Sequence, residues 1–563
     1  MAASARERAV TSRPTQRGGS AGAPAISATR RWGYAAGLAC CVALAVLCRA
    51  SFLHVPLTND EGGYAYVARS WAAGGRLYGD AWVDRPQGLM LLFRLFVAVA
   101  PSTAGLRLCG ALYAALSLLV LAYVGSRLYG RPAGLSAAAL YALVSSGPQV
   151  EGFIVNGELL ATLPAVAAVV LLLRARRAAR PARGLFLAGL AAGGALLIKQ
   201  SAIDAALIVL LFAPVGGPKP GPKGPWQGRT LQGPRQRVSP RRFLAALAGV
   251  LATPALSALW GALTGWRQYL DAVVLDNLRY RSFDAPANTL SNAMTGFGLF
   301  WSEDAALVVL ALVAVAAMAG RSPVAGRRSM VRRWRARHIP NEALSYAPSL
   351  DHRPSTIDYR LRWLPLPWLA AAIVGVTLGG LYNRHYFVQL LPPLCVLAGV
   401  GLVASVQVVR RVPWTAPLLA VPLAALVMTV RADAPYYVGG SPVAISQRLY
   451  DWPVYTYQAE LVAFLRRRVP AGQPFFVAYA AAPLHYLANR PSVTRYLWRR
   501  PLGTVPGAYQ TALAAVERGQ PVCVIPVQPV VQPPGDARMR ASLARRYVVA
   551  WRRPGITVLC RKP

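Results

Sequence analysis

Trp32-Gly-Tyr-Ala-Ala-Gly-Leu-Ala-Cys-Cys-Val-Ala-Leu-Ala-Val-Leu-Cys-Arg-Ala-Ser-Phe-Leu53 is an apolar run broken by one charge, Arg49, close to its end. A run of this kind approaches the roughly 20 residues needed to cross the hydrocarbon core of a bilayer. Thr103–Ser126, Ala133–Ser146 and Leu364–Leu381 repeat the pattern, rich in Leu, Ala, Val and Gly. The chain is 55% hydrophobic and 15% charged, whereas roughly a quarter of the residues of an ordinary soluble domain are charged. The expected fold class is an all-α polytopic membrane domain.

Charge placement gives the orientation. The 563 residues carry 61 Lys and Arg against 21 Asp and Glu, a net charge of +40. On a folded soluble face such an excess would suggest nucleic-acid binding. Here much of it falls in short stretches between apolar runs, as in cytoplasmic loops under the positive-inside bias, so no nucleic-acid partner is expected. One threading puts the Arg clusters on a single side throughout. It has about 11 transmembrane helices, at 32–53, 103–126, 133–147, 159–173, 184–198, 201–214, 243–264, 301–320, 364–381, 386–409 and 413–430. Residues 1–31 contain six Arg and many small residues, without the short apolar core and cleavage site of a secretory signal; they read as a disordered cytosolic tail. The loops 215–242 and 321–362 fall on the same side, the second holding ten Arg. The transmembrane domain is therefore 32–430, with an external loop at 54–102. Gln87–Ala100 is too short to span comfortably and carries Arg94 at its centre, so it reads as an interfacial helix.

From Arg431 Pro, Tyr, Arg and Gln rise and no further spanning run occurs. Strand-like runs at Pro474–Ala480, Pro521–Val527, Tyr547–Trp551 and Ile556–Cys560 alternate with helix-like stretches at 457–468, 509–518 and 538–545, which predicts a small C-terminal α/β domain over 431–563. An odd number of spans places it outside, where Cys523 and Cys560, both in strand-like runs, could pair. The other five cysteines sit in apolar runs, where cysteine behaves as a small hydrophobe.

The external loop carries the chemistry: Thr58-Asn-Asp60-Glu61-Gly-Gly-Tyr64-Ala-Tyr-Val67-Ala68-Arg-Ser-Trp71, then Leu77-Tyr-Gly-Asp-Ala-Trp-Val-Asp84-Arg85-Pro86-Gln87. Tyr64, Val67, Ala68 and Trp71 share one helical face, expected to lie on the membrane surface. Thr58-x-x-Glu61 is a capping-box pattern, and acids in a first helical turn are favoured by the dipole. That accounts for Glu61 more fully than for Asp60, since a cap needs only one acid.

The succession of a span, Asn-Asp-Glu-Gly-x-Tyr-x-Tyr-x-Ala-Arg and Gly-x-Leu-Tyr-x-Asp resembles the GT-C membrane glycosyltransferases, among them the protein O-mannosyltransferases and the aminoarabinose transferases. Gly194-Ala-Leu-Leu-Ile-Lys199-Gln-Ser and Asn383-Arg384-His385-Tyr386-Phe387, followed by Leu390-Leu-Pro-Pro, continue the resemblance. It implies an inverting transfer of a sugar from a polyprenyl-phosphate carrier to a lipid, glycan or protein acceptor, at a site on the extracytoplasmic side of the cell membrane. The family's general base corresponds to Asp60, a carboxylate suited to take the acceptor proton. Glu61, Tyr64, Arg85, Glu158, Lys199, Arg384, His385 and Tyr386 are the implied substrate-binding residues. The cations among them suit an anionic leaving phosphate. Where the family has Lys-Pro-Pro, this chain has Arg85-Pro86-Gln87, and arginine can still grip phosphate oxygens. No cofactor is assigned. Asp60, Glu158 and His385 leave room for a divalent cation without fixing a metal site.

A transporter or flippase of a lipid-linked sugar is the alternative. It should show paired repeats and charges near mid-membrane, whereas the notable charges here gather at span ends. A non-catalytic scaffold leaves the paired acids of the first loop unexplained. The threading predicts that 54–102 and 431–563 are outside, while 215–242 and 321–362 are cytosolic. Single cysteines introduced around 460–560 should label with an impermeant reagent in intact cells, and labelling only after lysis overturns the topology.

Overall fold

The computed structural model describes residues 23–216, 239–283, 289–320, 359–438, 440–478, 481–526 and 536–563. The expected tail lies outside these up to residue 22, as does most of the two Arg-rich loops. The first helix, α1 (Ala23–Ala50), begins inside the expected tail. Then follow α2 (Asn59–Ala72), α3 (Gln87–Val99), α4 (Thr103–Tyr129), α5 (Arg131–Val144), α6 (Gly157–Ala175), α7 (Pro181–Ile198), α8 (Asp204–Phe212) and α9 (Pro240–Thr264). Beyond them run α10 (Trp266–Leu270), α11 (Asp276–Phe283), α12 (Thr289–Gly320), α13 (Pro365–Thr377), α14 (Leu391–Arg411) and α15 (Ala416–Tyr437).

Among the described residues, eight helices are long and apolar enough to cross a membrane. They coincide with eight of the eleven expected spans. The other three are the shorter helices α5, α8 and α13. Two of the three have a proline in the first turn: α5 follows Gly130 at φ 95° with Pro132, and α13 opens at Pro365, where proline is tolerated because the first-turn N–H has no helical partner. Glycines set the helix packing. A Cβ on Gly189 of α7 would lie 2.1 Å from the Ala246 carbonyl of α9, and one on Gly249 of α9 would lie 2.1 Å from the Phe186 carbonyl. Small residues at such crossings bring two backbones together where no hydrophobic effect separates helix from lipid.

α15 runs past the expected boundary at Arg431 to Tyr437. The C-terminal part then contains α16 (Pro442–Tyr450), α17 (Pro453–Thr456), α18 (Gln458–Arg468), β1 (Phe476–Ala478), α19 (Ala482–Ala488), α20 (Arg499–Thr504), α21 (Ala508–Glu517), β2 (Cys523–Pro526), α22 (Asp536–Arg546), β3 (Tyr547–Arg553) and β4 (Ile556–Arg561). All four expected strands are present in one sheet of order β1-β2-β4-β3, parallel between β1 and β2 and antiparallel elsewhere. Side chains alternate across it. Phe475, Val477, Cys523, Ile525, Val558 and Cys560 meet Leu461 and Leu465 of α18. Phe476, Ala478, Val524 and Tyr547 join a second cluster that continues through α21 and α22 into α2, α3 and the membrane helices.

The aromatic stripe of α2 therefore faces protein and not lipid. Tyr64, Val67 and Ala68 are buried, and Trp71 packs edge-on to Trp260 with the Arg94 guanidinium above its ring. Amphipathic periodicity marks a face that must be covered without saying what covers it; here α3, α9 and the C-terminal domain share the cover.

Cys523 and Cys560 stand opposite each other on antiparallel neighbours and are joined as a disulfide. Replacing both by Ser should destabilise the C-terminal domain by about 2–4 kcal/mol, read from denaturant unfolding through Trp551, which packs on Tyr457 and Phe464. Mapping should recover the two cysteines in one linked peptide, and two free thiols would overturn the pairing.

Candidate active site

Leu57 and Thr58 lead into α2 by a capping box: the Thr58 hydroxyl accepts the Glu61 N–H while the Glu61 carboxylate accepts the Thr58 N–H. The same carboxylate does more. Its two oxygens accept from Arg107 Nε at 3.0 Å and Nη2 at 2.8 Å, and from the Val155 N–H at 3.1 Å. Arg107, a charge inside the apolar helix α4, also donates to the carbonyls of Phe52 and Pro56. Both side chains are almost fully buried. Glu61, expected to bind substrate, is turned away from the cavity described below and ties the α1–α2 turn to α4 and α6.

One residue earlier the outcome differs. Asp60 lies on the wall of a cavity of about 330 Å³. The cavity forms where the start of α2, the Trp82–Arg85 loop, the α5–α6 loop, the turn before α14 and the C-terminal domain meet. Of the expected residues, Asp60, Tyr64, Arg85, His385 and Tyr386 line it. Glu158 and Lys199 stand directly behind, as a buried ion pair. The Lys199 ammonium is 4.2 Å from the centroid of the Tyr386 ring, and His385 Nε2 is 3.9 Å from Glu158 Oε1. Arg384 is not among the lining residues. It points to Gln149, 3.4 Å away, at the start of the 3-10 turn whose next two residues, His385 and Tyr386, face inward.

Several lining residues escaped the sequence. Glu151 holds His385 Nδ1 at 2.7 Å. Tyr450, Tyr455, Trp498 and Arg500 come from the C-terminal domain. That domain approaches α2 closely: a Cβ on Gly62 would lie 2.3 Å from Pro483 Cα, and one on Gly63 would lie 2.3 Å from the Trp498 ring. The Gly-Gly pair is thus a docking surface, and Trp498 reaches Tyr64 across it with ring centroids 5.7 Å apart. Arg49 and Arg107 were legible as charges in apolar helices; nothing local distinguishes Arg500 from the other arginines of its domain.

The charges around the cavity are arranged in pairs. Asp84 Oδ2 receives Arg85 Nη1 at 2.6 Å and Arg500 Nη2 at 2.5 Å; Arg500 Nη2 also meets Asp276 Oδ2 at 2.7 Å. Burial would push the Asp84 carboxyl up, but the guanidiniums of Arg85 and Arg500 outweigh it and hold it at about 2. The stabilisation is therefore complete above the ordinary carboxyl range and is lost only as pH falls through about 2. Among the described residues Asp276 is paired with Arg500 alone, and burial pushes its carboxyl up. Among the described residues, the Asp60 carboxylate has neither an ion pair nor a hydrogen bond. No group of three or more His, Cys, Asp or Glu side chains among them is placed to share a metal ion, so Asp60, Glu158 and His385 do not assemble one.

The chain aligns with ArnT from Cupriavidus metallidurans bound to undecaprenyl phosphate over 92% of its own length and 97% of that protein, with TM-score 0.53 and 14% identity. The apo state of the same protein gives TM-score 0.53 and 15% identity over 95% and 98%. The fold is that of this ArnT. A looser likeness, TM-score 0.47 at 14% identity, is to the apo form of the Archaeoglobus fulgidus oligosaccharyltransferase, covering 89% of this chain and 70% of that one. Residues 84–220 match the family described as dolichyl-phosphate-mannose-protein mannosyltransferase. No curated protein sequence matches the chain. The matched segment contains Arg85, Glu151, Glu158 and Lys199, and it begins after Asp60.

Removing one partner of a buried ion pair leaves the other charge uncompensated, at a cost of about 3–5 kcal/mol. Glu61→Gln and Arg107→Met should each lower stability by about that much, while Glu61→Leu combined with Arg107→Met should recover a good part. Thermal unfolding in detergent reads this, and a Glu61→Gln protein as stable as the wild type would contradict the anchoring role.

Proposed function

We propose that the protein is an inverting glycosyltransferase that moves a sugar from a polyprenyl-phosphate carrier to an acceptor hydroxyl at the outer membrane face, with Asp60 as the general base. One observation carries this: of the carboxylates on the cavity wall, Asp84 and Glu151 are engaged by Arg85, Arg500 and His385, and Asp60 alone among the described residues is without a partner. A carboxylate held by cations is a poor proton acceptor; an unpaired one within reach of an acceptor hydroxyl is a good one.

The chemistry follows from the two sides of the cavity. The acceptor hydroxyl loses its proton to Asp60 as its oxygen attacks the anomeric carbon. The bond from that carbon to the phosphate oxygen breaks on the opposite face, giving inversion. The electron pair leaves with the polyprenyl phosphate, whose charge grows as the bond lengthens. Arg85 is the cation on the cavity wall nearest this task, and a guanidinium can meet two phosphate oxygens at once. Glu158 and Lys199 stabilise the floor beneath Tyr386. His385, held by Glu151, contributes a donor from the opposite wall. The aromatic sides of Tyr64, Trp82 and Trp498 exclude water, which would otherwise compete as acceptor.

The GT-C fold and the match over 84–220 support a glycosyl transfer. The undecaprenyl phosphate bound by the ArnT neighbour supports a lipid-phosphate carrier. The Cys523–Cys560 disulfide agrees with an extracytoplasmic C-terminal domain, since disulfides persist in oxidising compartments. The multi-pass membrane location is direct from the eight apolar helices.

Asp60→Asn preserves size and much of the capping ability in the first turn of α2. It should reduce transfer from a polyprenyl-phosphate sugar by about 10²–10⁴-fold while leaving thermal stability unchanged. Turnover by purified variants against a panel of donors reads this. A variant retaining wild-type turnover on the productive donor places the base elsewhere.

A further inference from the structure

Arg500 belongs to α20 in the C-terminal domain, far along the chain from the loop it touches. Its Nη2 lies 2.5 Å from Asp84 Oδ2 and 2.7 Å from Asp276 Oδ2. Three separate segments are thereby joined at one nitrogen: the loop before α3, the start of α11, and α20. The surroundings reinforce the junction. Thr504, one turn after Arg500, donates its hydroxyl to Asp276 Oδ1 at 2.9 Å, so both oxygens of Asp276 are engaged. The Asp84 carbonyl accepts from Gln200 Nε2 at 3.0 Å and from Asn277 Nδ2 at 3.1 Å. Asp84 is thus fixed at its carboxylate by α20 and at its backbone by residues following α7 and opening α11.

The consequence falls on Arg85. Its Nη1 meets the same oxygen, Asp84 Oδ2, that Arg500 holds. An arginine on a loop has many rotamers, and a guanidinium binds an oxyanion well only when its fork already points the right way. Asp84 supplies that direction, and Arg500 supplies the position of Asp84. We propose that Arg500 is a positioning residue that orients the Arg85 guanidinium toward a phosphate through Asp84, making lipid-phosphate binding conditional on docking of the C-terminal domain. This rests on the reading of the cavity as a polyprenyl-phosphate-sugar site.

Docking itself does not depend on Arg500. The domain is seated on α2 by Pro483 against Gly62 and Trp498 against Gly63, by Arg69 donating to the carbonyls of Tyr486 and His485, and by the Ser492 N–H donating to the Tyr66 hydroxyl. A variant at 500 keeps these contacts, so a loss of function there is separable from loss of the fold.

The test is a double-mutant cycle on the full-length protein in lipid nanodiscs, with undecaprenyl monophosphate as the probe. Arg85→Ala and Arg500→Ala should each weaken binding by about tenfold or more. If Arg500 acts through Asp84 and Arg85, the double variant binds no more weakly than Arg85→Ala alone. Arg500→Lys, which keeps a cation beside the two carboxylates, should restore part of the loss. Amide hydrogen exchange of the same proteins without lipid gives a second readout: in Arg500→Ala, protection should fall at 82–88 and at 276–279 and persist in α2. Losses that multiply in the double variant, or exchange that is unchanged in both segments, would overturn the proposal. Should the wild type fail to bind the lipid phosphate while exchange responds as stated, the positioning role of Arg500 on Asp84 stands and the assignment of the cavity's ligand falls.

Discussion

An ion taken out of water must find an opposite charge or an array of hydrogen-bond partners, and the interior of this protein is organised by that requirement. Glu61 meets it with Arg107 and a backbone N–H. Glu158 meets it with Lys199, Glu151 with His385, and Asp84 with two guanidiniums. Arg49, at the end of α1, has no carboxylate partner among the described residues and instead donates to the carbonyls of Ser145 and Gly152. Apart from Asp84 with its neighbour Arg85, each of these contacts also joins two segments distant in sequence, so satisfying the charges and building the cavity go together. On the cavity wall Asp60, one residue from Glu61, is the carboxylate with no such partner among the described residues.

The cavity is a composite. Its floor and two walls come from the membrane helices and their connecting loops; the remaining wall comes from a domain built on a four-stranded sheet. The contact between them is apolar and close, made possible by Gly62 and Gly63 and continuous with the core of both parts. Such a contact excludes water, which strengthens every electrostatic interaction it encloses. It also explains why α2, written in the sequence as a helix with one apolar face, is a buried element.

Much of this was legible in the sequence because the signals are local. Apolar length gave the eight long helices, alternation gave the four strands, and Thr58-x-x-Glu61 gave the start of α2. Asp60, Tyr64, Arg85, His385 and Tyr386 share one cavity, and the motifs carrying them were readable one at a time. What failed was direction. Glu61 and Arg384 sit in the right segments, yet one is captured by Arg107 across the bundle and the other turns toward Gln149. Side-chain direction within a turn is decided by neighbours that no spacing rule can name. Arg500, Trp498 and Tyr455 were invisible for a related reason: their contribution depends on how one domain sits on the other.

The order of synthesis adds a constraint of its own. Trp498 and Arg500 follow the eight apolar helices in a chain made from the N-terminus onward. Until they are made and docked, Asp84 has one cation instead of two, Gly63 has no ring above it, and the space beside Asp60 is open to water. A nascent chain that has already made all its apolar helices therefore still lacks one wall of the cavity, which closes only when the C-terminal domain docks.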